Sequence, residues 1–203
     1  MINKIKLDKI LKKVEKPARY IGMEKNSVKK NLEAVSVKFA FSFPDVYEVG
    51  MSHLGMHIIY NLINNEENYA CERVFAPWID MEDEMRKEGV PLFTLENKEE
   101  VKNFDFIGFT LQYEMSYTNV LAMLDLAGIP LISKDRNELS PIVVAGGPCV
   151  CNAEPLAEFI DLFFLGEGEE VDLEVIDLYK DFKAKGGKDK KEFLKLASKI
   201  EGV

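Results

Sequence analysis

Residues 142–170 read IVVAGGPCVCNAEPLAEFIDLFFLGEGEE, and this stretch decides the fold. It contains two continuous apolar runs, 142–145 and 162–165, and each run leads into a loop that contains glycines. Continuous apolar runs of this length are typical of strands that helices cover on both faces, as in a parallel sheet. We therefore predict two successive central strands, each ending in a glycine loop at the carboxyl edge of the sheet.

The preceding part of the chain alternates between strand and helix patterns. Apolar residues alternate with smaller or polar ones over 34–43, which predicts a first strand that ends before Pro44 and Asp45. Similar patterns predict strands at 71–76 and 104–110, and helices at 52–64, 78–88, 116–127 and 171–183. This order predicts an α/β fold with an open, mainly parallel, doubly wound sheet and helices on both faces.

The two ends of the chain lie outside this alternation. A short amphipathic helix that packs on another element is predicted over 4–16, from the helical spacing of Leu7, Ile10, Leu11 and Val14. A last helix is predicted over 192–200, after a flexible break at 185–188. We divide the chain into a lead-in at 1–33, an α/β domain at 34–183 and a linker at 184–203.

Composition limits the kinds of partner. The chain has 203 residues, 47% of them hydrophobic, which is enough for one substantial core. With 26 basic and 35 acidic residues, its net charge of -9 argues against a surface that mainly binds nucleic-acid phosphates or anionic lipid. It has no bilayer-spanning apolar run, no signal-peptide pattern, and an odd number of cysteines, three. We expect a cytoplasmic domain without a membrane or nucleic-acid partner.

Four predicted loops meet at the carboxyl edge, where open α/β sheets bind ligands. They span residues 44–53, 111–117, 146–152 and 166–170. Their glycines let backbone approach a ligand and expose N–H groups near helix N-termini, which suits phosphate or amide-rich cofactors, although glycines that only form turns give the same pattern. Neither G-x-G-x-x-G after the first strand nor G-x-x-x-x-G-K-[ST] occurs, so dinucleotide and P-loop binding lose their usual support.

Other candidate chemistry is weaker. His53 and His57 have a spacing that can place two imidazoles on one metal, but the catalytic acid of a zinc protease motif is missing between them, and capping or other polar roles are favoured. Cys149 and Cys151 are too close together and too isolated for a usual zinc or iron–sulfur site. A phosphoacceptor domain would need an acid where the third strand ends, and none is present there. We predict no metal site and no catalytic residue.

Seven short motifs follow one another between residues 16 and 169. They are KPARYIG (16–22), FPDVYEVGMS (43–52), ERVFAPW (72–78), FTLQYE (109–114), YTN (117–119), GGP (146–148) and GEGE (166–169). Together they resemble the amino-terminal region of a family of uncharacterised radical SAM proteins, whose leading domain is similar to cobalamin-binding domains. The resemblance implies a Rossmann-like, flavodoxin-like fold in which the GGP and GEGE loops line a corrinoid face.

The resemblance also implies partners that this chain does not contain. In such proteins a separate radical SAM barrel carries C-x-x-x-C-x-x-C, which holds the [4Fe-4S] cluster that cleaves S-adenosylmethionine. That motif is absent here, so the chain is expected to be an excised part of a longer enzyme, with 192–203 similar to the linker that leads into the barrel in cis. The D-x-H-x-x-G signature of cobalt ligation by histidine is also absent. Cobalamin would then keep its own base or lack a protein histidine, or the domain has lost the corrinoid.

The function implied is that of an accessory domain that positions cobalamin or an unknown substrate over the cluster. The residues expected to line its site are Pro44, Asp45, Tyr47, Gln112, Tyr113, Gly146, Gly147, Pro148, Gly166 and Gly168. Two alternatives stay open. A non-catalytic docking module predicts an exposed apolar patch on one of the terminal helices, and a small-molecule-binding domain of unrelated function is compatible with the same fold.

Overall fold

The computed structural model describes residues 2–203, in which five parallel strands form an open sheet. The strands are β1 Val37–Phe43, β2 Tyr69–Phe75, β3 Phe106–Thr110, β4 Ile142–Gly146 and β5 Leu162–Phe163. Their order is β2-β1-β3-β4-β5, and every neighbouring pair is parallel. This is the flavodoxin-like order of a doubly wound sheet, so the predicted fold class is confirmed.

Seven α-helices flank the sheet within the described residues. They are α1 Lys4–Leu11, α2 Tyr47–Met51, α3 Leu54–Asn65, α4 Ile79–Glu88, α5 Tyr117–Leu126, α6 Gly168–Ala184 and α7 Lys190–Ala197. The helix predicted over 52–64 is α3, and the unpredicted α2 precedes it. The two are separate because His53 has an extended backbone and caps α3. No helix in 2–203 combines the length and apolarity that a membrane span needs.

One hydrophobic cluster lies on each face of the sheet. In β1, Phe39 and Phe41 belong to the cluster under α3, α6 and α7, and the intervening Ala40 belongs to the cluster under α1, α4 and α5. This follows from the period of two along a strand. Both terminal helices are part of these clusters: Ile10 of α1 and Phe193 of α7 are fully buried.

The burial of the terminal helices bears on the docking-module alternative, which predicts an exposed apolar patch on one of them. Leu7, Ile10 and Val14 pack within the cluster that contains α4. Phe193 contacts Tyr179 of α6, with ring centroids 5.3 Å apart. The apolar faces of α1 and α7 are therefore covered within the chain, and they are not the exposed patch that the docking alternative expected there.

The position of β5 corrects one prediction. The run 162–165 was expected to be a central strand, but β5 pairs only with β4 and lies at the edge of the sheet. Its side chains are apolar because Leu162 and Phe164 pack into the core beside α6 and α7, not because a further strand follows. Beyond β5, the Leu165 N–H donates to the Gly202 carbonyl at 2.7 Å, so the chain's own tail covers this part of the edge.

Two buried acids fix the amino edge of the sheet, and each directly precedes a strand. Asp105 accepts hydrogen bonds from the Lys38 N–H at 2.9 Å and the Tyr179 hydroxyl at 3.0 Å, and it pairs with Lys183 Nζ at 2.9 Å. Because several donors from the chain surround the carboxylate, its burial is compensated.

Asp161, before β5, is held in the same way. It accepts a hydrogen bond from the Val143 N–H at 2.8 Å, and it pairs with Arg136 Nη2 at 3.0 Å and Lys190 Nζ at 2.8 Å. The Asp161 side chain is fully buried, and both cations are nearly so. This network ties β4, β5 and the start of α7 together.

Candidate functional site

A cavity of about 550 Å³ opens at the carboxyl edge, where β1, β3 and β4 end. We call it the carboxyl-edge cavity. The strand order reverses between β1 and β3, and open α/β sheets bind ligands at such a switch point. Helices α3 and α6 close one side. The walls are largely apolar and include Phe39, Phe41, Ile58, Ile59, Val144 and Phe164.

A larger cavity, of about 730 Å³, lies at the opposite edge between residues 132–137 and the start of α7. Its two buried cations, Arg136 and Lys190, already lie against Asp161. Arg136 also donates to the carbonyls of Pro130, Leu131 and Phe159, although its Nε has no acceptor among residues 2–203. These charges hold the fold together, so the carboxyl-edge cavity is the better candidate.

Gly147 fixes the loop that follows β4. Its φ of +98° lies in the region that favours glycine, and a Cβ there would lie 2.8 Å from the Leu111 carbonyl oxygen. The Leu111 N–H donates to the Gly146 carbonyl at 2.8 Å, and the Cys149 N–H donates to the Leu111 carbonyl at 3.1 Å. The loops after β3 and β4 are therefore joined, and this shapes one wall of the cavity.

The structure brings six of the ten predicted site residues to this cavity. They are Gln112, Gly146, Gly147, Pro148, Gly166 and Gly168. Gln112 is oriented by a hydrogen bond from its Nε2 to Thr110 Oγ1 at 2.7 Å. Their role in binding stays a prediction, but they lie in one place, as expected from loops that follow parallel strands.

The other four predicted residues do not line this cavity. The chain after β1 turns towards α4 and α5, so Asp45 borders a separate cavity of about 190 Å³. Asp45 accepts a hydrogen bond from the Tyr113 hydroxyl. The Tyr47 hydroxyl donates to Glu24 at 3.0 Å, and the Pro44 carbonyl accepts from Asn119 at 2.9 Å. These contacts stabilise the loops beside the site.

Asp172 of α6 is one of the cavity residues that were not among the ten predicted site residues. It lines the cavity and is only 8% exposed, yet its carboxylate accepts no hydrogen bond from any of residues 2–203. Burial raises its pKa to about 7, and repulsion from Glu169 acts in the same direction. A buried carboxyl group in a cleft, with its pKa shifted in this way, is typical of a functional site.

The charge of the cavity is uniformly acidic. Glu167, Glu169 and Asp172 line it, and no lysine or arginine does so among residues 2–203. A phosphate group would be repelled here, because its negative charge would meet carboxylates without any cation. The glycine loops therefore suit amide-rich or cationic ligands. Phosphate-bearing cofactors, which the glycines alone also suggested, are disfavoured.

The two histidines have the capping and polar roles predicted for them. His53 Nδ1 accepts a hydrogen bond from the Met56 N–H at 3.2 Å, and His57 Nε2 donates to the Met51 carbonyl at 2.8 Å. A neutral imidazole that accepts at Nδ1 carries its proton on Nε2. His53 lines the cavity, and its Nδ1 is occupied by this capping hydrogen bond.

Comparison with known proteins identifies the family. Residues 55–203 match the family of radical SAM proteins defined by their N-terminal region. The chain belongs to this family. An uncharacterised protein of Methanocaldococcus jannaschii is 34% identical over 142 residues, which is 68% of this chain and 26% of that protein. The chain thus matches about a quarter of the relative's length. No solved structure matches it.

Exposed apolar side chains of this radical SAM N-terminal region concentrate at the carboxyl edge. Among residues 2–203, seven of the eleven exposed large hydrophobic residues follow the ends of strands: Val49, Leu54, Trp78, Ile79, Tyr113, Met115 and Leu165. Because the strands are parallel, the loops that follow them lie at one edge. We call these seven residues the apolar rim. Apolar groups exposed together are typical of an interaction surface.

Proposed function

We propose that this chain is the accessory domain of a radical SAM enzyme and holds a substrate fragment in the carboxyl-edge cavity, facing a radical SAM barrel in cis. The observation that carries the proposal is the location of the cavity and the apolar rim at the same edge. A ligand in the cavity and a domain packed on the rim would then meet. Most of the Methanocaldococcus jannaschii relative lies outside the matched region, which leaves length for such a barrel.

The cavity has the properties of a small-molecule site. Its volume of about 550 Å³ lies within the roughly 300–1,000 Å³ of ligand pockets. Aromatic and aliphatic walls surround a small number of polar side chains, among them Asp172, Gln112, Thr110, Glu167 and Glu169. Such polar groups orient a ligand that the apolar walls hold.

Cobalamin, which the sequence resemblance implies, fits these residues only in part. The glycine loops leave backbone open to a ligand, and the three carboxylates suit its amide N–H groups. The same carboxylates, without a cation, disfavour the phosphodiester of its nucleotide arm. The Nδ1 lone pair of His53 is already occupied by the Met56 N–H. Cobalamin binding is therefore the second hypothesis, behind a substrate fragment.

Two experiments test the proposal. Titration of the chain with hydroxocobalamin, followed by gel filtration, is expected to give neither a changed visible spectrum nor co-elution; retention with a changed spectrum would favour the corrinoid. Hydrogen exchange in a full-length family member is expected to protect the segments equivalent to 44–53, 111–117 and 166–170 relative to the isolated N-terminal region. The segment equivalent to 131–140, at the amino edge, is the control. If all four segments exchanged at the same rate in the full-length protein as in the isolated N-terminal region, packing of a barrel on the rim would be contradicted.

A further inference from the structure

We propose that Asp172 is the recognition group of the carboxyl-edge cavity, and that it binds a planar apolar group carrying a hydrogen-bond-donating, cationic nitrogen. This inference rests on the proposed function, because it assigns the ligand class of the same cavity. Its starting point is the unpaired carboxyl group, which the fold buries at the wall of an open volume.

The missing partner of Asp172 points to a ligand. Burying a carboxylate without hydrogen bonds is unfavourable, so buried acids in proteins are paired, as Asp105 and Asp161 are in this chain. On the helix side, Asp172 is packed closely, since a methyl group at Gly168 would lie 2.9 Å from its Oδ2 and 3.1 Å from Ile59. The cavity is the remaining side, and a donor placed there would complete the site.

The surroundings define the chemistry of that donor. Glu167 and Glu169 add negative charge near Asp172, and no lysine or arginine of residues 2–203 lines the cavity to offset it. A cationic donor is therefore attracted and an anion is repelled. Phe39, Phe41 and Phe164 provide aromatic walls on the face of the sheet that α3 and α6 cover, and a planar group packs well against such walls. An amidine, an aromatic amine or a protonated heterocycle has both properties.

Binding of a cation should depend on pH in one direction. The titratable groups around Asp172 are Glu167, Glu169, His53 and the thiols of Cys71 and Cys151. Because the pKa of Asp172 is raised to about 7, the carboxyl group is largely protonated at pH 6 and ionised at pH 8. A cation binds the ionised form, so its affinity should fall about tenfold from pH 8 to pH 6.

Three isosteric probes test the inference on the 203-residue chain. Benzamidine is planar and cationic, benzamide is neutral and benzoate is anionic. The amide NMR signals of Gly146, Gly147, Gly166 and Gly168 report occupancy of the cavity. We expect benzamidine to bind with a dissociation constant on the order of 1 mM at pH 8, benzamide more weakly, and benzoate not at all.

Matched variants separate recognition from folding. Asp172→Asn should weaken benzamidine at least tenfold and change benzamide less than twofold. Glu174→Gln, on the exposed side of the same helix, should change neither. If Asp172→Asn does not give a native amide spectrum, the pH dependence in the unmodified chain decides: a tenfold fall supports the inference, and constant affinity overturns it.

Failure of the inference can be told apart from failure of the proposed function. If benzoate or benzamide shifts the glycine amides as strongly as benzamidine, or if Asp172→Asn binds benzamidine normally, the cavity is a ligand site but Asp172 is not its recognition group. If none of the three probes shifts these amides, the inference fails and the cavity loses its support as a small-molecule site.

Discussion

Buried carboxylates at the two edges of the sheet differ in whether the chain supplies their hydrogen-bond partners. At the amino edge, Asp105 and Asp161 are surrounded by backbone N–H groups, hydroxyls and cations of the chain itself. At the carboxyl edge, Asp172 is buried to a similar degree and has no such partner in the described residues. At the amino edge, both carboxylates are therefore paired with groups of residues 2–203. At the carboxyl edge, we propose that a ligand supplies the missing partner of Asp172.

The difference has a thermodynamic consequence. A paired buried carboxylate strongly destabilises the fold when its partner is lost, because a charge is left uncompensated. An unpaired buried carboxylate already destabilises the fold whenever it is ionised. Removing charge at the two edges should therefore change the free energy of unfolding with opposite signs.

The largest effect is expected from Asp161→Asn. The substitution leaves Arg136 and Lys190 buried without a countercharge. We expect the free energy of unfolding in urea to fall by about 3–5 kcal/mol. Asp181→Asn, an exposed position on α6, is the control and should change it by less than about 0.5 kcal/mol. A loss below about 1 kcal/mol for Asp161→Asn would show that the amino-edge network is not the structural support that we describe.

Asp172→Asn should stabilise the chain at high pH. The folded pKa of Asp172, about 7, lies above its ordinary value of 3.8, so the folded state binds more protons and loses stability as pH rises between these values. The gain from removing the charge should be at most about 4 kcal/mol at pH 8 and should disappear towards pH 4. Urea unfolding of both proteins across this range measures it. Glu174→Gln should show no such trend, and a destabilised Asp172→Asn at pH 8 would contradict an unpaired carboxylate.

Substitution of two glycines tests whether the loops at the carboxyl edge are held in a single backbone conformation. Gly147 and Gly166 share a φ of +98°, but only at Gly147 would a Cβ meet backbone, at 2.8 Å from the Leu111 oxygen. Gly147→Ala should lower the free energy of unfolding by about 2–3 kcal/mol, and Gly166→Ala by about 1 kcal/mol. Equal losses in thermal or urea unfolding would mean that the joined loops after β3 and β4 do not constrain the cavity.

Much of the fold was predictable because its signals are local. The alternation of phenylalanines in β1 and the apolar run of β4 each identify a buried strand directly. The edge position of β5 was not predictable from its run, since a strand covered by helices is apolar whether it has one strand neighbour or two. The separation of α2 from α3 depends on a histidine cap, and histidine is not among the usual capping residues.

The candidate site was predictable in part. Glycine loops after parallel strands indicated the carboxyl edge, and six of the predicted residues line the cavity there. Asp45 and Tyr113 instead form a hydrogen bond with each other beside the cavity. Their position could not be predicted, because the sequence does not show in which direction a loop turns. Asp172 did carry a signal: it precedes Val175, Ile176 and Tyr179 by three, four and seven residues, on the apolar face of α6. An acid in such a stripe indicates a functional position.

The most direct measurement is the ionisation of Asp172 itself. Carbon-13 NMR of the side-chain carboxyl group can follow its titration in the free chain and in the presence of saturating benzamidine. We predict a pKa of about 7 in the free chain, lowered by at least about one unit when the cation is bound. A titration near the ordinary value of 3.8 in the free chain, or a pKa that benzamidine leaves unchanged, would contradict the assignment of Asp172 as an unpaired buried carboxyl group that binds a cation.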